Sequence, residues 1–154
     1  MAEIGTFTSG SVLTAAELNK FGNVTALYKD GNQSVATGVA DNVTFASGDV
    51  VIDVSGWHST DKIQPDIEGY YLVGGGCTWN ESALNDYICN IAKNGNNIGC
   101  LHVLTGDFFP GTYGATVTYM NGTTHYVHNI ISTTSGITRT ARRFSLFCAL
   151  LRTA

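Results

Sequence analysis

Charge is what this sequence has least of. Only 13% of its 154 residues are Asp, Glu, Lys or Arg, about half the share usual in a soluble domain. The polar surface must therefore come from Thr, Asn, Ser and Gly. Such a surface suits lasting protein contacts, because few charges have to be desolvated on burial. The net charge is −4, and a nucleic-acid backbone as partner would need a broad basic patch. The densest basic cluster is Arg139, Arg142 and Arg143. It is small, leads into an apolar run, and reads as a solvated strand entrance.

Other shortages narrow the field further. Two prolines stand against eighteen glycines, which points to many turns. No apolar run reaches the roughly 18 residues of a membrane span, so no membrane partner is expected. No signal-like run follows Met1, which places synthesis in a reducing cytosol. No C-x-x-C pair occurs. Cys77, Cys89, Cys100 and Cys148 all lie in apolar strand-like runs and read as buried free thiols. Two disulfides are the other reading, without support from the spacing. The N-x-S/T triplets at Asn23, Asn42, Asn80 and Asn121 read as turn chemistry.

Catalytic signatures are missing as well. There is no G-x-S-x-G, H-E-x-x-H or P-loop, so an enzyme is not expected. No D-x-[DN]-x-[DN]-G calcium loop is present, and the aspartates fall mostly in turns. His125 and His128 are three apart. On a strand that spacing puts them on opposite faces, a poor metal site within one chain. No cofactor or metal is expected.

What is present is strand signal. The run Ile67 to Trp79, I-E-G-Y-Y-L-V-G-G-G-C-T-W, follows the turn Gln64-Pro65-Asp66 and reads as a strand buried on both faces. Alternation puts Tyr71, Val73, Cys77 and Trp79 on one side, and Tyr70 and Leu72 on the other. Further strands are expected over Val24 to Tyr28, Ser34 to Val39, Asn42 to Phe45, Val50 to Val54, Tyr87 to Ala92 and Ile98 to Leu104. Ala115 to Met120 is paired in this reading with Thr123 to Ile131 through an Asn121-Gly122 hairpin turn. Arg143 to Leu151 closes the series. Lys93 to Asn97 reads as a second hairpin. Ser55 to Asp61 and Gly106 to Gly114 read as loops.

Before these strands, Thr14 and Glu17 form a capping box. Leu13 and Leu18 sit where a hydrophobic staple would, and Gly22 sits at the C′ position. A helix of one or two turns is expected there, packed on its own domain or on a neighbouring subunit. About eight to ten short strands make the fold class an all-β sandwich or jelly roll. The division is an N-terminal arm with a short capped helix over 1–22 and a β domain over 23–154.

Three segments in order resemble one family. Gly69-Tyr70-Tyr71-Leu72-Val73 looks like the G-x-Y-x-[FV] core strand of the C1q/TNF-like jelly roll. Ile88 to Gly95, I-C-N-I-A-K-N-G, is similar to its strand followed by a K-N-G hairpin. Arg143 to Leu151, R-F-S-L-F-C-A-L-L, looks like its last strand. The resemblance covers about Val24 to Arg152 and implies ten strands in two sheets and a tight homotrimer. The run L-T-A-A-E-L-N at Leu13 to Asn19 resembles the short leader of tailed-bacteriophage virion proteins. The chain departs from the animal members in Gly74-Gly75-Gly76, where they keep larger residues, and in having no collagen stalk.

The resemblance implies a non-enzymatic virion surface protein of capsid-decoration or fibre type, made in the host cytoplasm. Its partners would be its own copies and other virion proteins such as capsid or tail components. The rival expectation is the receptor- or carbohydrate-binding tip of a tail fibre, with a host surface glycan as partner. Expected trimer contacts are Tyr71, Val73, Gly75, Trp79 and Phe147. Particle attachment is assigned to Phe7, Leu13, Leu18 and Phe21. The aromatics Trp57, Phe108, Phe109 and Tyr113 either bind a ligand in loops or cap the ends of the sandwich.

Overall fold

Tyr71, Val73, Cys77 and Trp79 alternate along one strand, and all four are fully buried. That row is the spine of the computed structural model, which describes residues 23–36, 40–79, 87–100, 102–103, 111–133 and 139–154. The expected arm and helix over 1–22, with Phe7, Leu13, Leu18 and Phe21, lie outside the described residues. Phe108 and Phe109 do too.

The described residues form an all-β, antiparallel jelly-roll sandwich. Its strands are β1 (Val24–Lys29), β2 (Gln33–Val35), β3 (Asp41–Asn42), β4 (Val50–Asp53), β5 (His58–Ser59), β6 (Lys62–Ile63) and β7 (Glu68–Trp79). They continue with β8 (Tyr87–Lys93), β9 (Asn96–Cys100), β10 (His102–Val103), β11 (Gly111–Asn121), β12 (Val127–Thr133) and β13 (Arg139–Thr153). One sheet, here called the front sheet, runs β10-β11-β7-β13-β1-β4, with β2 also on β13. The back sheet runs β5-β6-β12-β8-β9, with β3 also on β12. A 3₁₀ turn at Ser47–Asp49 is the only helical element among the described residues.

The core is the inner faces of both sheets. Leu27, Tyr71, Val73, Trp79, Phe144, Leu146 and Cys148 come from the front sheet, and Ile63, Cys89, Ile91, Val127 and Ile131 from the back. Each large apolar side chain so buried contributes about 1.5–3 kcal/mol. β13 lies in the middle of its sheet, between β7 and β1, as its apolar sequence demands.

The two expected hairpins part company. Asn94 and Gly95 have φ of 50° and 79°, the two positive values a two-residue type I′ turn needs, and β8 pairs with β9 across them. At Asn121-Gly122 only Gly122 has positive φ, 75°. The Asn121 side-chain oxygen instead accepts from the backbone N–H groups of Thr123, Thr124 and His125. The chain turns out of the front sheet there and enters the back sheet as β12. β11 pairs with β7, and β12 with β8, not with each other. The hairpin reading at this point is therefore corrected to an inter-sheet crossover. Smaller corrections follow the same rule. The expected strand Asn42 to Phe45 shrinks to Asp41–Asn42, and Gly111 to Gly114 are strand, not loop.

A bulge shapes the centre of the front sheet. Pairing between β13 and β7 shifts register between Arg142 and Ser145, with Arg143 at φ 53°. The shift leaves the Ser145 carbonyl over Gly75, where a Cβ would stand 2.2 Å from that oxygen. The same carbonyl accepts from Asn129 Nδ2, 2.6 Å away in the back sheet. Asn129 is completely buried, so this bond ties the two sheets together through the core.

Candidate functional site

The odd-numbered residues of β7 point into the chain's own core. Tyr71, Val73 and Trp79 therefore have no surface to offer a neighbour, and Gly75 lies under the Ser145 carbonyl. Their assignment as trimer contacts is corrected by simple strand alternation. Of the five residues, Phe147 alone faces outward. Its ring lies over Gly74, where a Cβ would come within 2.4 Å of the ring carbons. The absence of a side chain at Gly74 is what lets that ring lie flat on the sheet.

The outward face of the front sheet follows from the register. Val117 stands opposite Leu72, Ala115 opposite Gly74, and Tyr113 opposite Gly76. On the other side Ala149 faces Leu72, Phe147 faces Gly74 and Ser145 faces Gly76. β1 extends these rows with Val24, Ala26 and Tyr28, and β4 adds Ile52 beside Ala26. Every residue in these rows is uncharged. Val117 is 55% exposed, Tyr113 53%, Tyr28 45% and Ile52 40%. One chain thus leaves a sheet-wide apolar surface open to water, well beyond the scattered apolar residues normal on a monomer.

Polar groups close this surface at both ends. At one end the Tyr70 and Tyr119 rings meet edge to face, 5.7 Å apart. Arg152 lies over Tyr70 at 5.2 Å, and Tyr119 donates its hydroxyl to Glu68. That bond to Glu68, ahead of partial burial, pushes the Tyr119 phenol above its usual range. At the other end Arg143 pairs with Asp30 at 3.4 Å. Partial burial pushes the Tyr113 phenol up, so it stays neutral near pH 7. An apolar centre inside a polar rim rich in tyrosine and arginine is the anatomy of a protein–protein interface.

Two of the expected loop aromatics, Trp57 and Tyr113, are among the described residues. Trp57 is only 3% exposed. It packs edge-on against Tyr71, 5.7 Å between ring centres, and its Nε1 donates to Asp66 at 2.7 Å. It caps the end of the sandwich, the alternative the sequence left open. Tyr113 is no loop residue but part of β11, on the apolar face just described.

Asp53 holds the Trp57 loop in place. Its carboxylate accepts from the Thr25 hydroxyl at 2.6 Å and from the Trp57 and His58 backbone N–H groups at 2.8 and 3.1 Å. Burial opposes its charge, but those three donors and the nearby His58 outweigh burial and hold it below the usual carboxylate range.

The two spaced histidines separate. His125 precedes β12, and its Nδ1 accepts from the Asn121 backbone N–H at 3.1 Å. His128 is on β12 and buried, with its basicity lowered by burial. Among the described residues no group of three or more His, Cys, Asp or Glu could hold a metal ion. Cys77, Cys89 and Cys148 are buried, and burial raises the Cys148 thiol far above its usual range.

No protein-family model matches the sequence, and no curated protein does. Solved structures do match in fold. Murine APRIL, in a crystal structure at pH 5.0, is similar at 14% identity and a TM-score of 0.60, over 82% of this chain and 98% of that one. The PRD1 vertex protein P5 is similar at 13% identity and a TM-score of 0.51, over 83% of this chain and 96% of that one. The fold is a TNF-like jelly roll.

Proposed function

We propose that this chain is a non-enzymatic structural protein of a tailed-phage virion, assembled as a homotrimer through the outward face of its front sheet. The observation that carries the reading is that uncharged face. It spans β11, β7, β13, β1 and β4, with an apolar centre and a polar aromatic rim. A second copy of the chain fits it, since burying it removes apolar area from water without stripping any charge in its centre. The number three rests on the family resemblance. The virion setting rests on the leader-like L-T-A-A-E-L-N run and is supported by the fold shared with a phage vertex protein.

In this reading residues 1–22, with Phe7, Leu13, Leu18 and Phe21, attach the trimer to the particle, and the β domain faces outward on the virion surface as a decoration. Sedimentation equilibrium of the full chain tests the assembly: a mass three times that of the chain is expected, and a monomer overturns it. Binding of the protein to depleted particles tests the arm. Loss of binding on deleting residues 1–22 is expected, and unchanged binding refutes the arm's role. Electron microscopy of labelled particles then distinguishes head from tail.

A further inference from the structure

A cleft opens at the end of the sandwich, away from the apolar face. It has a volume of about 280 Å³ and is lined by Gly56, Trp57, His58, Ser59, Gln64, Pro65, Asp66, Gly122 and Thr123. Three connections meet there: β4–β5, β6–β7 and the β11–β12 crossover. Each is pinned by bonds that leave a polar group spare. Trp57 Nε1 takes one Asp66 oxygen, so the other stays free. Gln64 Nε2 donates to the Thr123 carbonyl at 2.7 Å, leaving the Gln64 side-chain oxygen free. Gln64 N–H donates to the Trp57 carbonyl at 2.9 Å, and Asp53 fixes the backbone at Trp57 and His58. The Ser59 and Thr123 hydroxyls take no part in these bonds. Trp57 and Pro65 are buried and so form the inner wall.

The donor set selects the ligand class. Neither lysine nor arginine lines the cleft, so an anion would meet the Asp66 carboxylate with no cation to offset it. One carboxylate and one imidazole are too few for a metal. Carboxylate, amide oxygen, two hydroxyls and an imidazole do match a ligand that both donates and accepts through several hydroxyls. The volume, at the low end for small-molecule sites, admits one ring rather than a chain. We propose that this cleft binds a single neutral sugar ring, its hydroxyls donating to Asp66 and Gln64 and accepting from Ser59 and Thr123.

The test needs no knowledge of the natural glycan and does not depend on the trimer. D-glucose, D-galactose, D-mannose and N-acetylglucosamine are titrated separately into the full-length ¹⁵N-labelled protein. The Trp57 indole N–H resonance is followed, with Trp79, deep in the core, as the internal control. Saturation of the Trp57 shift by at least one sugar is expected, with a Kd of about 1–10 mM, as suits a small, solvent-open site. Asp66→Asn keeps an acceptor for Trp57 and removes the charge; it should weaken binding at least about tenfold, or about 1.4 kcal/mol. Ser59→Ala, at an exposed position, should weaken it about threefold and serves if Asp66→Asn fails to fold. No saturable shift with any of the four sugars overturns the proposal. So does equal affinity in both variants, or tighter binding of the anionic N-acetylneuraminic acid.

Discussion

The two faces of the front sheet are alike in composition and opposite in circumstance. Tyr71, Val73, Leu146 and Cys148 on the inner face are apolar and covered by the back sheet. Tyr113, Val117, Leu72 and Phe147 on the outer face are nearly as apolar, yet half of them lie open to water. The back sheet's outer row is more mixed: partly exposed Asn90 stands opposite Ile130, buried His128 stands opposite buried Ala92, and Lys62 lies over the nearby Tyr126 ring at 4.7 Å. In the proposed trimer a neighbouring copy covers the outer face of the front sheet as the back sheet covers its inner one.

Substitutions on the two faces should separate folding from assembly. The largest effect belongs to Gly75→Leu on the inner face. A Cβ there meets the Ser145 carbonyl at 2.2 Å and the Leu146 backbone at 3.1 Å, and backbone cannot swing aside as a side chain can. A loss of more than about 3 kcal/mol is expected, visible as absent cooperative melting by circular dichroism. A folded trimer with the wild-type Tm would refute this placement.

Val117→Lys on the outer face comes next. The lysine costs the isolated chain little, since Val117 is over half exposed, but it puts an unpaired charge into the centre of the proposed interface. A monomer mass with unchanged far-UV circular dichroism is expected. Asn90→Lys on the back sheet should leave the mass unchanged, and loss of the trimer there would erase the contrast between the sheets.

Two smaller effects refine the picture of the inside. Asn129→Leu removes the bond across the core to the Ser145 carbonyl, which should cost about 0.5–1.5 kcal/mol and lower the Tm without changing the mass of the proposed trimer. Asp53 predicts a pH dependence. Its folded pKa lies below the ordinary aspartate value of 3.8, so its contribution is fully present above that value. It fades as pH falls through 3.8 towards the folded pKa. Thr25→Val, which removes the first of its donors, should flatten that acid limb in melts between about pH 2 and 5. An identical limb in the variant would show that the Thr25 bond contributes nothing.

Particular residues explain how much the sequence disclosed. The alternation at Tyr70 to Trp79, the Asn94-Gly95 turn and the apolar final strand all carry local signals strong enough to survive tertiary context, and the sandwich follows from them. The crossover at Asn121-Gly122 was misleading because the dipeptide suits two kinds of turn. The choice between them was made by the Asn121 side chain, which captures three backbone donors. Trimer contacts were misplaced for a similar reason. Alternation sorts β7 into two rows, but both rows are apolar, and only the position of the back sheet decides which one is inside. Gly75 could not be read at all without the bulge in β13, whose carbonyl occupies the missing Cβ. Of the end cleft only Trp57 was singled out, since its other lining residues come from three connections far apart in the chain.

The position of β13 has a bearing on how the molecule comes into being. It follows every other strand in the sequence, yet it lies between β1 and β7. Until it arrives, β1 and β7 have no partner between them, and their apolar edges stand exposed together. The pairing that completes the sheet joins segments separated by nearly the whole chain, the kind of contact that forms slowly. A nascent chain therefore keeps a gap in the middle of its main sheet until β13 emerges. β13 fills that gap, shuts the core and finishes the proposed assembly surface in one step, so a chain that is not yet folded lacks the completed apolar face.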